Sequence, residues 1–177
     1  MNPHFPILLV EDDDKDVRFA RQAFRHAGLL NPLRVVRDGE QAIAYMRGAG
    51  KYSDRQRYPL SMLVIMGFDI PRKSGLEVLA WMRKRAEFQE IPAVMLSTPS
   101  LFTGTEVQKA RRLGITAHLT KGLDFKELQH IYKIAVDHWN LLAGRSGRHG
   151  EKLGMESWFR SSWNRVIEEM AGYADGF

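Results

Sequence analysis

Apolar residues fall along this chain in two alternating patterns. Short continuous runs read as buried strands: Phe5-Pro-Ile-Leu-Leu-Val10, Leu33-Arg-Val-Val36, Ser61-Met-Leu-Val-Ile-Met66, Pro92-Ala-Val-Met-Leu96 and Ala117 to Thr120. Ser61–Met66 is the most apolar of them, which predicts a central strand covered on both faces, with Gly67 following at its carboxyl end. Between the runs, apolar residues recur at helical spacing. Val17, Ala20, Phe24 and Ala27 share one face of a helix from Asp14 to Gly28. Asp38 is placed to cap a helix carrying Ala42, Ile43 and Met46, which Gly48 and Gly50 end. A polar loop, Lys51 to Pro59, leads from there to the third strand.

The second half continues the alternation. Leu76, Val78, Leu79 and Met82 mark a helix over Gly75–Ala86, a further helix covers Thr105–Leu113, and Phe125, Leu128, Ile131, Tyr132, Ala135 and Trp139 form an amphipathic stripe. Strict alternation predicts an α/β fold: a doubly wound, five-stranded parallel sheet with helices on both faces. Residues 1–143 form this domain in the reading, 144–154 a glycine-rich flexible linker, and 155–177 a C-terminal amphipathic helix with Phe159, Trp163, Val166, Ile167 and Met170 on one face. That face must be buried either back on the domain or against a partner, and a homodimer is the favoured expectation.

Composition narrows the function. The chain has no cysteine, which removes disulfides, thiolate metal sites and cysteine catalysis. No basic start precedes the apolar run Ile7–Val10, which is too short for a signal peptide or a membrane span, so no membrane association and a cytoplasmic location are expected. The net charge of +5 is spread along the chain among acids, and Lys109, Arg111 and Arg112 lack interleaved aromatics, so nucleic acid is not an expected partner.

Polar residues stand where strands end. Glu11 and Asp12 follow the first strand, Ser97 and Thr98 the fourth, Lys121 the fifth. Sheets of this kind carry their sites at the carboxyl ends of the strands. Two carboxylates, a hydroxyl and an ammonium together suit a hard cation such as Mg²⁺ and a phosphoryl group. Glu11–Asp14 read alone would be an exposed acidic turn at a helix start. An aspartate at the end of the third strand would complete the site as an acyl-phosphate acceptor.

The segments Ile7-Leu-Leu-Val-Glu-Asp-Asp13, Arg37-Asp-Gly-Glu40, Ile70-Pro-Arg-Lys-Ser-Gly75, Pro92-Ala-Val-Met-Leu-Ser97 and His118-Leu-Thr-Lys121 resemble, in order and spacing, the motifs of response-regulator receivers of two-component signalling. The likeness covers about residues 6–142. The long loop before the third strand and the carboxyl extension are similar to the single-domain regulators that serve bacterial phytochromes. The resemblance implies the flavodoxin-like receiver fold, no enzyme activity of its own, and a histidine kinase or other signalling protein as partner. It assigns Glu11 and Asp12 to the acidic metal pair, the backbone of Asp69 to a third metal contact, Ser97 to the switch hydroxyl, His118 to the switch aromatic position and Lys121 to the phosphate contact.

Two positions depart from the family pattern. The acceptor aspartate lies four residues before the loop proline, here Pro71, and that register lands on Gly67. Gly122 replaces the proline that follows the lysine. Glycine has no side-chain oxygen, so it neither forms an acyl phosphate nor ligates a metal, and Mg²⁺ is expected to bind weakly. Asp69 is two residues away, about 6–7 Å along an extended chain, too far to substitute in a reaction that demands sub-ångström placement. Two readings of Gly67 stand side by side: a receiver that signals without phosphate, and a phosphorelay protein whose working aspartate has been replaced. A third, a flavin-binding electron carrier on the same fold, conflicts with Glu11–Asp14, which would repel a phosphate.

Loss of a carboxylate relieves repulsion among Glu11, Asp12 and Asp13. Gly67→Asp is therefore expected to melt at a lower temperature without metal and to bind Mg²⁺ more tightly than the parent, as read by thermal melts and a Mg²⁺ titration. A variant that melts no lower and binds no better contradicts this.

Overall fold

The computed structural model describes residues 6–98, 100, 104–122 and 125–145. Five strands and five α-helices alternate: β1 (Ile7–Val10), α1 (Asp14–His26), β2 (Leu33–Val36), α2 (Gly39–Arg47), β3 (Leu63–Gly67), α3 (Gly75–Arg83), β4 (Ala93–Ser97), α4 (Gly104–Arg112), β5 (Ala117–Thr120) and α5 (Phe125–Arg145). The strands form one parallel sheet in the order β2-β1-β3-β4-β5. Residues 5–135 make one compact unit.

The apolar content of each strand matches its place in the sheet. Every residue of β1, β3 and β4 is buried, whereas β2 and β5, the edges, are largely half-exposed or exposed. Chain order reverses between β1 and β3: the chain leaves β1 outward to β2, then returns to the other side. Folds of this kind open their crevice at such a switch, here at the carboxyl ends of β1 and β3, where Glu11 and Gly67 stand.

Helix starts follow side-chain chemistry. Asp13 caps α1 by accepting from the backbone N–H of Lys15 and Asp16, Asp38 caps α2 by accepting from Gln41, and Ser74 with Glu77 forms a reciprocal capping box on α3. α2 stops at Gly48, in the left-handed conformation that glycine adopts at little cost. On α5, Leu128, Ile131, Tyr132 and Ala135 are buried, as the stripe predicts.

Several boundaries differ from the sequence reading. Gly67 is the last residue of β3 rather than the first residue beyond it, because it still pairs with Leu96; β4 ends in Ser97, paired with Thr120. Ser61 and Met62 precede β3, and α3 stops three residues before Ala86. α5 runs through Gly144 to Arg145, so the first two residues of the expected linker continue the helix. The rest of that linker, and the expected helix at 155–177, lie outside the described residues. The loop read as merely polar is built on aromatic contacts: Tyr52 meets Tyr45 and Tyr58 edge to face, each at 5.2 Å between ring centres. Among the described residues no helix is long and apolar enough to cross a membrane.

One side chain holds the entries to two site-bearing strands. Arg83, at the end of α3, donates to the carbonyl of Ile91 before β4 (3.0 Å) and to those of Leu113 (3.0 Å) and Gly114 (2.9 Å) before β5. A charged donor lost from three carbonyls leaves them underbonded. Arg83→Ala is expected to lower stability by about 2–3 kcal/mol in urea unfolding with an unchanged slope; a loss below about 0.5 kcal/mol would show that water replaces the guanidinium freely.

Candidate functional site

The crevice is built from the ends of β1, β3, β4 and β5. The backbone aligns them: Glu11 N–H donates to Val36 (3.0 Å), Phe68 N–H to Leu96 (2.7 Å) and Lys121 N–H to Ser97 (2.9 Å). Glu11, directly after β1, is fully buried. Its Oε1 accepts from the Asp13 backbone N–H (3.2 Å) and from Lys121 Nζ (3.2 Å). Its Oε2 accepts no hydrogen bond, and the ammonium lies 3.1 Å from it as an ion pair. Lys121 also donates to Asp16 Oδ2 at 2.7 Å. One ammonium thus serves two carboxylates.

Electrostatics follow from this triad. Burial pushes the Glu11 carboxyl above the ordinary carboxylate range, since desolvation outweighs the hydrogen bonds from Lys121 and Asp13. Burial also disfavours the Lys121 ammonium, but its hydrogen bonds to Asp16 and Glu11 prevail and hold it above the usual lysine range. Asp13, whose oxygen accepts from the backbone N–H groups of Lys15 and Asp16, lies below the usual carboxylate range.

The remaining predicted residues occupy distinct places. Ser97 is buried, and its Oγ lies 2.7 Å from Nε2 of the exposed His118 on β5. Desolvation lowers the imidazole below its ordinary range. Asp12 and Asp69 are exposed. Gly67 ends β3 with Glu11 beside it: a Cβ built there would lie 3.4 Å from Glu11 Oε2. Gly122, at φ +99°, holds a backbone conformation closed to proline, so its departure from the family pattern matches the local path of the chain.

The structure therefore brings Glu11, Gly67, Ser97, His118 and Lys121 to the same edge of the sheet and leaves the side chains of Asp12 and Asp69 in solvent. Periodicity gave no sign of Asp16. It stands in the first turn of α1, where an acid is ordinarily explained by the helix dipole, and only the approach of β5 gives it a cation. The sequence marks Ile70 only as the start of the segment Ile70–Gly75; its Cγ2 would lie 2.7 Å from a Cβ at position 67.

A divalent cation fits this donor set poorly. Lys121 already occupies both oxygens of Glu11, position 67 offers no carboxylate, and among the described residues no group of three or more His, Asp or Glu side chains converges. The crevice lined by Leu9, Glu11, Asp16, Phe19, Lys121 and Gly122 is nonetheless open to solvent at Phe19, which is 60% exposed.

A doubly wound sheet whose strand-order switch gathers an acidic residue, a hydroxyl and a lysine defines a signalling-receiver class of α/β protein. The family model for the response regulator receiver domain matches residues 7–133, and the chain belongs to that family. It is 31% identical over 138 residues to the response regulator Rcp1 of Synechocystis, covering 78% of this chain and 90% of that one. The crystal structure of the Mn²⁺-bound form of Rcp1 superimposes with a TM-score of 0.63 at 29% identity, over 73% of this chain and 92% of the other. The phosphorylated cyanobacterial phytochrome response regulator RcpA matches with a TM-score of 0.63 at 29% identity (77% and 94% covered). The bacteriophytochrome response regulator RtBRR matches with a TM-score of 0.63 at 28% identity (97% and 95% covered).

Removal of Lys121 strands a buried carboxylate. Lys121→Met is expected to destabilise the fold by about 2–4 kcal/mol at neutral pH. Glu11, already raised, rises further without its cation. A group raised in the native state contributes stability that is lost as pH climbs through its native value, so the deficit should be small near about pH 4 and grow toward neutrality. Urea unfolding across that range checks this, and a deficit independent of pH would contradict it.

Proposed function

We propose that this receiver is not phosphorylated at position 67 and acts through protein contacts. The observation that carries the reading is Gly67 itself: at the carboxyl end of β3, beside the buried Glu11 carboxylate, the chain offers no side-chain oxygen to attack a phosphorus atom. Receivers of response regulators meet histidine kinases or other signalling proteins, and such a protein is the partner here. A homodimer, a cytoplasmic location, a separate C-terminal amphipathic helix after residue 154, and at most weak Mg²⁺ binding complete the reading.

In it, Lys121 acts as the in-chain counter-ion of Glu11 and Asp16 rather than as a phosphate contact. Ser97 holds His118 against the sheet edge through the 2.7 Å contact, a fixed arrangement for a switch pair that receives no phosphate trigger. Asp69, exposed on the β3–α3 turn, takes no acceptor role.

A second reading is favoured by one specific observation. Glu11, Asp12, Ser97 and Lys121 have their clearest joint use around an aspartyl phosphate, so the chain also suits a phosphoaccepting receiver whose aspartate has been replaced by glycine. Both readings forecast the same behaviour for this protein. Incubated with acetyl phosphate and Mg²⁺, it should take up no acid-stable, hydroxylamine-labile phosphoryl label by intact-mass analysis. Stoichiometric labelling would overturn the proposal.

A further inference from the structure

The loop between α2 and β3 takes no part in the crevice, yet a set of specific contacts orders it. Arg55 donates to the carbonyls of Tyr45 (2.9 Å) and Met46 in the last turn of α2, and to that of Tyr58 (3.2 Å). Gly48 makes room for it: the residue ends the helix at φ +65°, and a Cβ there would lie 2.6 Å from Nε of Arg55. Tyr45 Oη donates to Pro59 (2.8 Å), and Asp54 Oδ1 accepts from the backbone N–H groups of Gln56 (3.0 Å) and Arg57 (3.2 Å). Tyr45, Tyr52 and Tyr58 pack edge to face, with ring centres 5.2 to 6.2 Å apart.

Cations stand on this frame without carboxylates. Lys51 Nζ lies 5.0 Å from the centre of the Tyr52 ring, and the Arg57 guanidinium 5.4 Å from that of Tyr58. Arg34, on the edge strand β2, donates to the Arg57 carbonyl at 3.2 Å, and its Nε is buried with no acceptor, so the guanidinium keeps bonding capacity that the chain does not use. Arg47 is exposed in the last turn of α2, next to the residue whose carbonyl Arg55 holds. Among the described residues none of these four cations pairs with a carboxylate. Asp54 is the one acid in the segment 51–59, and it is engaged with the backbone N–H groups of its own turn.

We infer that this cluster is a docking surface for an acidic segment of a partner protein, whose carboxylates meet Arg34, Arg47, Lys51 and Arg57. Carboxylates match the guanidinium fork, and cations already ordered by rings and carbonyls lose little freedom on binding. The rings argue against nucleic acid: Tyr45 and Tyr52 are 1% and 5% exposed, so they seat cations and present no face on which bases stack. A membrane surface fits poorly because the exposed large apolar side chains among the described residues are Phe19 and Leu30, neither of them in this loop. The inference rests on the reading that this chain acts through protein contacts, and it does not depend on how position 67 came to be glycine.

Fluorescence anisotropy of a labelled peptide of about eight glutamates, titrated with the full chain at about 50 mM salt, where such contacts are little screened, tests it. Lys51→Glu with Arg57→Glu is expected to weaken binding about tenfold or more. Lys109→Glu with Arg111→Glu, the same change of charge at exposed positions of α4, should weaken it less than about threefold. Urea unfolding shows whether either pair alters the fold, and Lys51→Gln with Arg57→Gln, expected to weaken binding about threefold or more, is the milder pair should the reversal do so. Equal weakening by the two glutamate pairs, or no binding by the parent, would overturn the inference. So would tighter binding, lost with the same loop pair, of an oligothymidylate of similar charge or of phosphatidylcholine vesicles with about 30% phosphatidylserine. Failure of this binding test leaves the phosphate-labelling result untouched, so the two readings fail separately.

Discussion

Glu11 is withdrawn from water at the end of β1, and a buried carboxylate requires either a proton or a cation. Lys121 reaches across from the end of β5 to supply the cation, and Asp16 shares it. This three-member cluster governs the rest of the crevice. It fixes where the loop after β5 begins, ties α1 to the sheet edge, and fills the electrostatic role that a divalent cation or a phosphoryl group would otherwise contend for. The Lys121 backbone adds to the tie by donating to Ser97, so that the ends of β4 and β5, which carry the hydroxyl and the ammonium, are joined.

Against that cluster, the absence of a side chain at position 67 has a chemical consequence, since no oxygen is present to attack phosphorus or to ligate a metal. The β3–α3 turn is held by the Asp38-Gly-Glu40 segment, through the Gly39–Pro71 hydrogen bond and the Arg72 ion pairs. In the sequence Arg37-Asp-Gly-Glu40 marks a helix start at Asp38 and one segment of the family pattern. In three dimensions it is the buttress of the loop beside the site.

His118 is exposed on the edge strand, yet one ring nitrogen lies against Ser97, and partial desolvation there favours its neutral form. Phe19, exposed beside the crevice, adds an apolar point next to Lys121 and Gly122.

The sequence by itself determined the alternation of strands and helices, the central place of β3, the caps at Asp38 and Gly48, and the acidic, hydroxyl and lysine positions at the strand ends. These are legible because burial on a sheet and on a helix imposes different spacings on apolar residues, and because capping is a local exchange of hydrogen bonds. The spacing from Pro71 back to Gly67 belongs to the same class of local information. Only the tertiary structure decided that Asp16 rather than Asp12 shares Lys121, and that the loop over 51–59 is ordered by tyrosines. Each of these joins residues from different elements across a few ångströms, and a contact between Lys121 and Asp16, 105 positions apart, leaves no periodic trace in the chain that makes it.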